Sequence, residues 1–249
     1  MLNCKPASTP MRPGQYFSKS DRTPLEQTRY DQELKMMKKK YRTLVGTFIF
    51  ICYTCRPDIM YGNNILCRSM SNPSTKHFEA ALYLLRYLAG TKEAGLTYRR
   101  GANLKPLIFA DSDDGADETR MSCSCHIIIL AGAALLWISK FMKEYSILTC
   151  EAEIRAITAV QPSIKSALYI KKLLIETINN YIISDIDVDN TILNLSAPLV
   201  ILEDDEAAID WSNKSTSTQR MRHVEKSLYW FRQHSKPGFI RLLQIESES

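Results

Sequence analysis

The hydrophobic pattern of residues 41–92 is helical. A first segment, interrupted by Pro57, carries apolar residues at loosely helical spacing: Leu44, Phe48, Ile51, Ile59, Ile65 and Leu66. A second helix is predicted after Ser74, where Asn72-Pro73-Ser74 suits an N-cap, and Gly90 is placed to end it. Within it, apolar residues recur at the spacing of one helix face: Phe78, Ala81, Leu82, Leu85 and Leu88. The preceding residues 1–40 are polar and rich in proline near the start, which predicts an extended linker running into a short basic helix near Lys35–Lys40.

From residue 96 onward, short apolar runs predict a mixed α/β arrangement. The first runs are typical of strands: Leu96–Tyr98, Leu107–Ala110, His126–Leu130 and Ala134–Ile138. Later strands are predicted at Leu199–Leu202 and Phe239–Ile245. One or two helices are predicted over Cys150–Ile178, with a break at Pro162. A further helix is predicted to start over Ala207–Trp211, and an amphipathic one covers Val224–His234.

Composition limits the class of protein more than its function. The chain has 249 residues, 45% hydrophobic and 24% charged, enough for one large globular domain or two small ones. A net charge of +5 suits a nucleic-acid partner without requiring one. No apolar stretch reaches the roughly 20 residues needed to cross a bilayer, and the start lacks a signal-peptide core. We therefore expect a cytoplasmic or nuclear protein with no membrane partner.

The seven cysteines are predicted to be reduced thiols. Cys52 and Cys55 are spaced like metal ligands, but no second pair accompanies them and their apolar surroundings favour buried thiols. Cys123 and Cys125, beside His126, lack a fourth ligand nearby and are also interpreted as structural.

Three acidic residues stand where a strand ends or a helix begins. Asp111 and Asp204 follow predicted strands, and Glu153 lies in the first turn of the helix after Cys150. Strand ends gather at one edge of an α/β sheet, so three carboxylates there would form an oxygen-ligand site suited to Mg²⁺. Two such ions can clamp the attacking water and the leaving oxygen of a phosphodiester. Taken alone, each residue is better explained as a helix cap or a partner of the helix dipole.

An ordered series of short motifs resembles the Pol polyproteins of copia-type retrotransposons. The part similar to the end of a reverse transcriptase comprises Cys4–Met11, Tyr41–Gly46, Thr54–Ile59, Ser71–Pro73, Leu85–Thr91 and Gly95–Tyr98. The part similar to the ribonuclease H domain comprises Ala110–Asp113, Ala134–Lys140, Leu148–Glu153, Asp204–Ile209 and Arg222–Glu225. Each motif alone is weak, but their common order is specific, which disfavours an unrelated α/β interaction protein.

The resemblance implies an α/β ribonuclease H-like domain over residues 105–249, with a mixed five-stranded sheet, flanking helices and Leu107–Ala110 as the central strand. It implies a small helical thumb or connection segment of the reverse transcriptase over residues 41–104, preceded by the linker of residues 1–40. Carried over by position, the catalytic and metal-binding residues are Asp111, Glu153 and Asp204, holding two Mg²⁺ ions. The implied partner is an RNA–DNA hybrid, and intact retrotransposon proteins are a further candidate.

Basic residues near these motifs are candidates for contacts to the phosphates of the hybrid. They are Lys140 and Lys143, beside the strand that precedes Glu153, together with Arg220 and Arg222. His223 matches a family position and either approaches a substrate phosphate or caps the last helix.

The sequence also departs from the family pattern. The family's fourth carboxylate lies in an Ala-Asp pair past the final strand, and this chain ends before that pair. Whether Glu246 or Glu248 takes its place is not decided by the sequence. Ser122–His126 replaces Ser-Thr-Ser-Gly-Tyr, so a glycine and an aromatic core residue are changed. The polymerase's Tyr-x-Asp-Asp turn is expected upstream of residue 1, so we expect no polymerase active site in this sequence. Two functions follow: a Mg²⁺-dependent ribonuclease H of weak activity, or an inactive relic that keeps the fold and binds nucleic acid.

Overall fold

A computed structural model describes residues 4–15, 17, 31–113, 122–141, 159–180, 197–204, 206, 209–210, 225–235 and 238–245. The chain divides into two compact units, and it passes from unit 1 to unit 2 between Leu96 and Thr97. Within the described residues, no helix combines the length and apolar character needed to span a membrane.

Unit 1 is helical, as its hydrophobic pattern predicts, but the short basic helix predicted near Lys35–Lys40 is continuous with the helix that follows it. Helix α1 (Asp31–Thr54) is followed by a 3-10 turn (Pro57–Ile59), α2 (Met60–Cys67) and α3 (Thr75–Gly90). One face of α1 is fully buried, and its residues recur at helical spacing: Tyr41, Val45, Phe48 and Cys52. Cys55 lies beyond the end of α1 and is exposed, so the interpretation of both Cys52 and Cys55 as buried thiols is wrong for Cys55.

Local chemistry fixes both ends of α3. Ser74 is the N-cap, and its backbone N–H donates to Nδ1 of His77 at 3.1 Å. Gly90 ends the helix where a Cβ would lie 2.7 Å from Cβ of Pro6. The segment of residues 4–15 therefore packs along α3, and Thr9 Oγ1 also lies 3.2 Å from the hydroxyl of Tyr83.

Unit 2 is built on a mixed five-stranded sheet. Its elements are β1 (Leu107–Asp113), β2 (Cys123–Leu130), β3 (Ala133–Phe141), α4 (Gln161–Asn180), β4 (Leu199–Glu203), α5 (Glu225–Ser235) and β5 (Ile240–Gln244). The strand order is β3-β2-β1-β4-β5. Strand β2 pairs antiparallel with both β1 and β3, whereas β4 pairs parallel with both β1 and β5. The central strand is β1, so the predicted ribonuclease H-like α/β fold is confirmed.

The hydrophobic core of unit 2 lies on one face of this sheet, beneath α4 and α5. Ile108, Ile128 and Ile201 from the three inner strands meet Ile164 of α4 and Phe231 of α5. Helix α4 begins at Gln161, directly after a turn at Val160, which agrees with the break predicted at Pro162. Ile209 and Asp210, within the helix predicted from Ala207 to Trp211, are helical.

A tight turn joins β2 to β3, and its contacts explain why one predicted strand does not form. Ala131 and Gly132 both have positive φ, at 51° and 85°, as a two-residue hairpin turn with right-handed strand twist requires. The backbone N–H of Arg99 donates to the carbonyl of Ala131 at 3.0 Å, and the Tyr98 hydroxyl donates to that of Ala134 at 2.6 Å. These single bonds do not form a ladder, so the strand predicted at Leu96–Tyr98 is wrong.

Candidate functional site

Asp111 lies near the C-terminal end of the central strand. Along β1, Ile108 and Ala110 point into the core, so the alternation of strand side chains places Asp111 on the opposite face. The residue is exposed there, and it pairs with Cys125 of the neighbouring antiparallel strand β2. Asp111 is predicted to follow the strand, but β1 continues to Asp113, so Asp111 lies within its last three residues.

Asp204 stands at the matching position of the neighbouring parallel strand. The register pairs Ile108 with Ile201 and Phe109 with Leu202. Asp111 and Asp204 each follow these last partners by two residues, and both are exposed. Because neighbouring strands lie about 4.8 Å apart, the backbones at Asp111 and Asp204 lie at the same edge of the sheet. This shared edge, defined by Asp111 and Asp204, is called the carboxylate edge below.

The third member of the predicted site lies outside the described residues. Glu153 falls in the range 142–158, so its approach to the carboxylate edge stays a prediction. In the part of the chain that the structure describes, no three Cys, His, Asp or Glu side chains are close enough to hold a metal ion. The three-carboxylate Mg²⁺ site therefore remains a hypothesis.

Glu203 is a buried acid, to which the sequence pattern assigns no role. It ends β4 with none of its surface exposed, on the same face as Ile201, while Asp204 faces solvent. Its backbone carbonyl accepts a hydrogen bond from the N–H of Ile245 at 3.0 Å. Strand alternation therefore separates the two neighbouring acids, and Glu203 does not join the carboxylate edge.

His126 occupies a buried position on the core face of β2. It pairs with Ala110 of β1, and its Nε2 lies 2.7 Å from Oγ of Ser163 on α4. Burial lowers the pKa of His126 from 6.5 to about 4, because the charged imidazolium loses its hydration. The histidine that replaces the family's aromatic residue is thus a neutral core side chain.

This burial predicts a stability that depends on pH. An unfolded chain protonates His126 near pH 6.5 and the folded chain only near pH 4, so stability present above pH 6.5 is lost as pH falls through this window. We expect His126 to lower the free energy of unfolding by about 2 kcal/mol at pH 5 relative to pH 8. Urea denaturation at both pH values, followed by tryptophan fluorescence, measures it. His126→Gln should remove most of this difference, and an unchanged pH dependence in that variant would contradict the assignment.

Of the predicted phosphate contacts, the structure describes Lys140. It is exposed near the end of β3 and pairs with Ser124, which in turn pairs with Ser112 beside Asp111. This places Lys140 at the same end of the sheet as the carboxylate edge but on the face opposite Asp111, because directly paired residues share a face. The other candidates lie outside the described residues: Lys143, Arg220, Arg222 and His223, as do Glu246 and Glu248.

Comparison with known proteins shows that the chain is similar to transposon polyproteins. No family model matches the sequence. The retrovirus-related Pol polyprotein from transposon TNT 1-94 of Nicotiana tabacum is 28% identical over 251 residues, which is 99% of this chain and 17% of that protein. The corresponding polyprotein from transposon RE1 of Arabidopsis thaliana is 27% identical over 248 residues, covering 99% of this chain and 15% of that protein. The chain thus spans about a sixth of the length of these relatives.

Among solved structures, the N-terminal RNase H domain of Rv2228c from Mycobacterium tuberculosis is similar over 57% of this chain and 83% of that chain, with 13% identity and a TM-score of 0.32. A TM-score this low does not establish a common fold, and the fold assignment rests on the strand order of unit 2. The ordered motifs extend over the same range as the polyprotein similarity, which covers 99% of the chain. Over 99% of its length the chain is thus similar to transposon Pol polyproteins, and the predicted resemblance to the copia-type family is confirmed.

Proposed function

We propose that unit 2 is a Mg²⁺-dependent ribonuclease H, which hydrolyses the RNA strand of an RNA–DNA hybrid at the carboxylate edge. The observation that supports this most is the register of β1 and β4, which brings Asp111 and Asp204 to equivalent exposed positions on adjacent strands. Glu153 is the proposed third ligand. An exposed edge suits this reaction because the substrate is a long duplex that cannot enter a closed pocket.

The residues at the carboxylate edge fit a divalent cation. Carboxylate oxygens are hard ligands, and Mg²⁺ in proteins is typically held by one or two carboxylates together with water and substrate phosphate. Asp111, Glu153 and Asp204 would hold the metal, which when bound supplies Lewis acidity and an activated water. The two exposed aspartates also orient this edge toward solvent, so a phosphodiester can reach them.

Recognition of the hybrid is proposed to depend on phosphate contacts. Lys140 lies at the same end of the sheet, and Lys143, Arg220, Arg222 and His223 are the further candidates. Contacts of this kind position a duplex without reading its sequence. Hybrid binding should therefore weaken steeply with salt, because each neutralised phosphate releases counterions.

One observation favours slow turnover or binding without cleavage. Cys125 pairs directly with Asp111, at the position where the family motif has glycine. Side chains of directly opposed residues share a face, with Cβ atoms about 5 Å apart, so Cys125 adds a side chain beside the proposed catalytic carboxylate. We therefore propose that unit 2 cleaves the hybrid slowly and that binding of the hybrid is the better preserved function.

A cleavage assay on the full chain tests this proposal. The substrate is a labelled 20-base-pair RNA–DNA hybrid, with double-stranded DNA and RNA of the same sequence as controls. We expect Mg²⁺-dependent cuts in the RNA of the hybrid alone, lost on adding EDTA, and faster cleavage in Cys125→Gly. Hybrid binding with no cleavage in either protein would leave only the binding function. Absence of hybrid binding would exclude both functions.

A further inference from the structure

Helix α1 of unit 1 has an outer face that the proposed function does not use. Opposite the buried face described above, the side chains of Met36, Phe50 and Tyr53 are 65%, 70% and 58% exposed. At 100° per residue, these positions and the exposed Lys39 and Lys40 fall on the same side of the helix. We call this surface, defined by Met36, Lys39, Lys40, Phe50 and Tyr53, the outer α1 face.

The charge of this face has one sign. The sequence from Met36 to Thr54 contains Lys38, Lys39, Lys40 and Arg42 and no aspartate or glutamate. Lys39 and Lys40 are exposed on the face, so its first half is basic. Arg42 is exposed at the border of the face, where its Nε donates to the carbonyl of Met70 at 2.9 Å. The second half is aromatic, because Phe50 and Tyr53 are one turn apart and form neighbouring exposed rings.

The centre of the face carries small side chains without charge. Thr43 and Thr47 lie between the basic and aromatic halves, and their hydroxyls donate to the backbone carbonyls of Lys39 and Thr43, each at 3.0 Å. Gly46 beside them borders open space, since a Cβ added to it would meet no atom within 4 Å. An extended ligand that lies along α1 would therefore contact the lysines first. It would contact the aromatic rings about 15 Å further along, since Lys40 and Phe50 are separated by ten residues at 1.5 Å each.

We propose that the outer α1 face binds a single strand of nucleic acid, with phosphates at Lys39, Lys40 and Arg42 and bases stacked on Phe50 and Tyr53. Stacking on protein rings needs open base faces, which a single strand offers and a duplex keeps inside its own stack. The run of cations without acids favours a polyanion over a protein surface. This site lies in unit 1 and is separate from hybrid hydrolysis at the carboxylate edge.

Binding of the full chain to a fluorescein-labelled 20-nucleotide DNA strand, followed by anisotropy, tests the site. Phe50→Ala/Tyr53→Ala should raise the Kd at least about tenfold, since stacking on one ring typically contributes about fivefold or more. Lys39→Gln/Lys40→Gln should weaken binding and reduce its salt dependence. For the parent chain, three phosphate contacts predict a loss of about 20-fold in affinity between 50 and 200 mM salt.

Matched variants separate stacking from a general loss of surface. Tyr169→Ala removes a tyrosine that is 62% exposed on α4 of unit 2, and it should leave the Kd unchanged. Phe50→Tyr keeps a ring and should bind like the parent chain. Photocrosslinking of a 5-iodouridine strand should label the peptide that contains Phe50 and Tyr53, which tests the site even if a variant folds poorly.

Three results would overturn the proposal. One is an unchanged Kd in Phe50→Ala/Tyr53→Ala together with crosslinks elsewhere. Another is equal competition by a blunt DNA duplex, which would assign the face to phosphate contacts alone. The third is a parent chain that dimerises in sedimentation and becomes monomeric in the ring variant, which would make the face a contact between two copies.

Discussion

Asp111→Asn is expected to abolish hydrolysis of an RNA–DNA hybrid and to leave hybrid binding intact or slightly tighter. The substitution removes a negative charge from the carboxylate edge while keeping the size of the side chain. Loss of a metal ligand should reduce cleavage more than about 100-fold, because even the outer partners of such ligands change activity by 10–100-fold. Binding changes in the other direction because a carboxylate no longer repels the phosphates.

Cleavage under single-turnover conditions and hybrid anisotropy in Ca²⁺ measure the two effects separately. Asp204→Asn should behave in the same way, because the register of β1 and β4 places both residues at one edge. Glu93→Gln provides a charge-matched control, since the Glu93 side chain is 90% exposed in unit 1. Cleavage by Asp111→Asn within threefold of the parent chain would remove Asp111 from the catalytic site.

The sheet was predictable because each of its strands has a local signal. Short apolar runs bounded by polar residues marked β1 to β5, and their order with α4 and α5 allowed few topologies. The failure at Leu96–Tyr98 has a physical cause, since a short apolar run forms a strand only when a partner strand offers a ladder of hydrogen bonds. Here the segment finds single bonds to Ala131 and Ala134 instead.

Burial in unit 1 shows a second limit of the pattern. The periodicity of α3 placed Leu85 on the buried stripe, whereas Leu84 is 1% exposed and Leu85 is half-buried. His77 and Ala80 also belong to the buried side. Which side of a helix is covered depends on the elements that pack against it, and the helical period alone does not show their positions.

The candidate site was predictable in part for a similar reason. Asp111 and Asp204 each follow an apolar strand, and parallel neighbours carry their C-terminal ends to one edge, so strand assignment alone locates both residues. The opposite orientation of Glu203 follows from strand alternation. The pairing of Cys125 with Asp111 required the register between β1 and β2, which depends on the whole hairpin arrangement.

A network around Arg56 could not be predicted from the sequence, although its residues lie in two of the family motifs. The guanidinium of Arg56 donates to both carboxylate oxygens of Asp58, at 2.9 and 2.7 Å, and to the carbonyl and hydroxyl of Thr91, at 2.9 and 2.7 Å. Tyr87 donates its hydroxyl to Asp58 at 2.7 Å, and its ring lies 5.5 Å from the guanidinium carbon. The network ties the turn after α1 to the end of α3.

The carboxylate of Asp58 is kept ionised by the groups that hydrogen-bond to it. Burial would raise the pKa of Asp58, but hydrogen bonds from Arg56 and Tyr87 outweigh it and keep that pKa below its ordinary value. The Arg56 side chain is 8% exposed and that of Asp58 is 35% exposed. The guanidinium has therefore lost more of its hydration than the carboxylate, and it relies more on the ion pair to compensate for that loss. Removing Asp58 leaves a nearly buried charge without its anion.

Asp58→Ala should therefore lower the free energy of unfolding of unit 1 by about 3 kcal/mol, at the low end for broken buried pairs because Asp58 keeps access to water. Unit 1 contains no tryptophan, and all three tryptophans of the chain lie after residue 96. Hydrogen exchange in peptides of α1 and α3 thus reports unit 1, and tryptophan fluorescence during urea denaturation reports unit 2 as an internal control.

A second substitution distinguishes a broken ion pair from lost packing. Arg56→Met/Asp58→Ala removes both charges, so it should be more stable than Asp58→Ala alone, since no charge is left buried. Arg56→Lys keeps the charge and loses the forked contacts to Asp58 and Thr91, and it should be destabilised as well. If Asp58→Ala changes the exchange of α3 by less than about 1 kcal/mol, or the double variant is less stable than the single one, the network does not hold α3 in place.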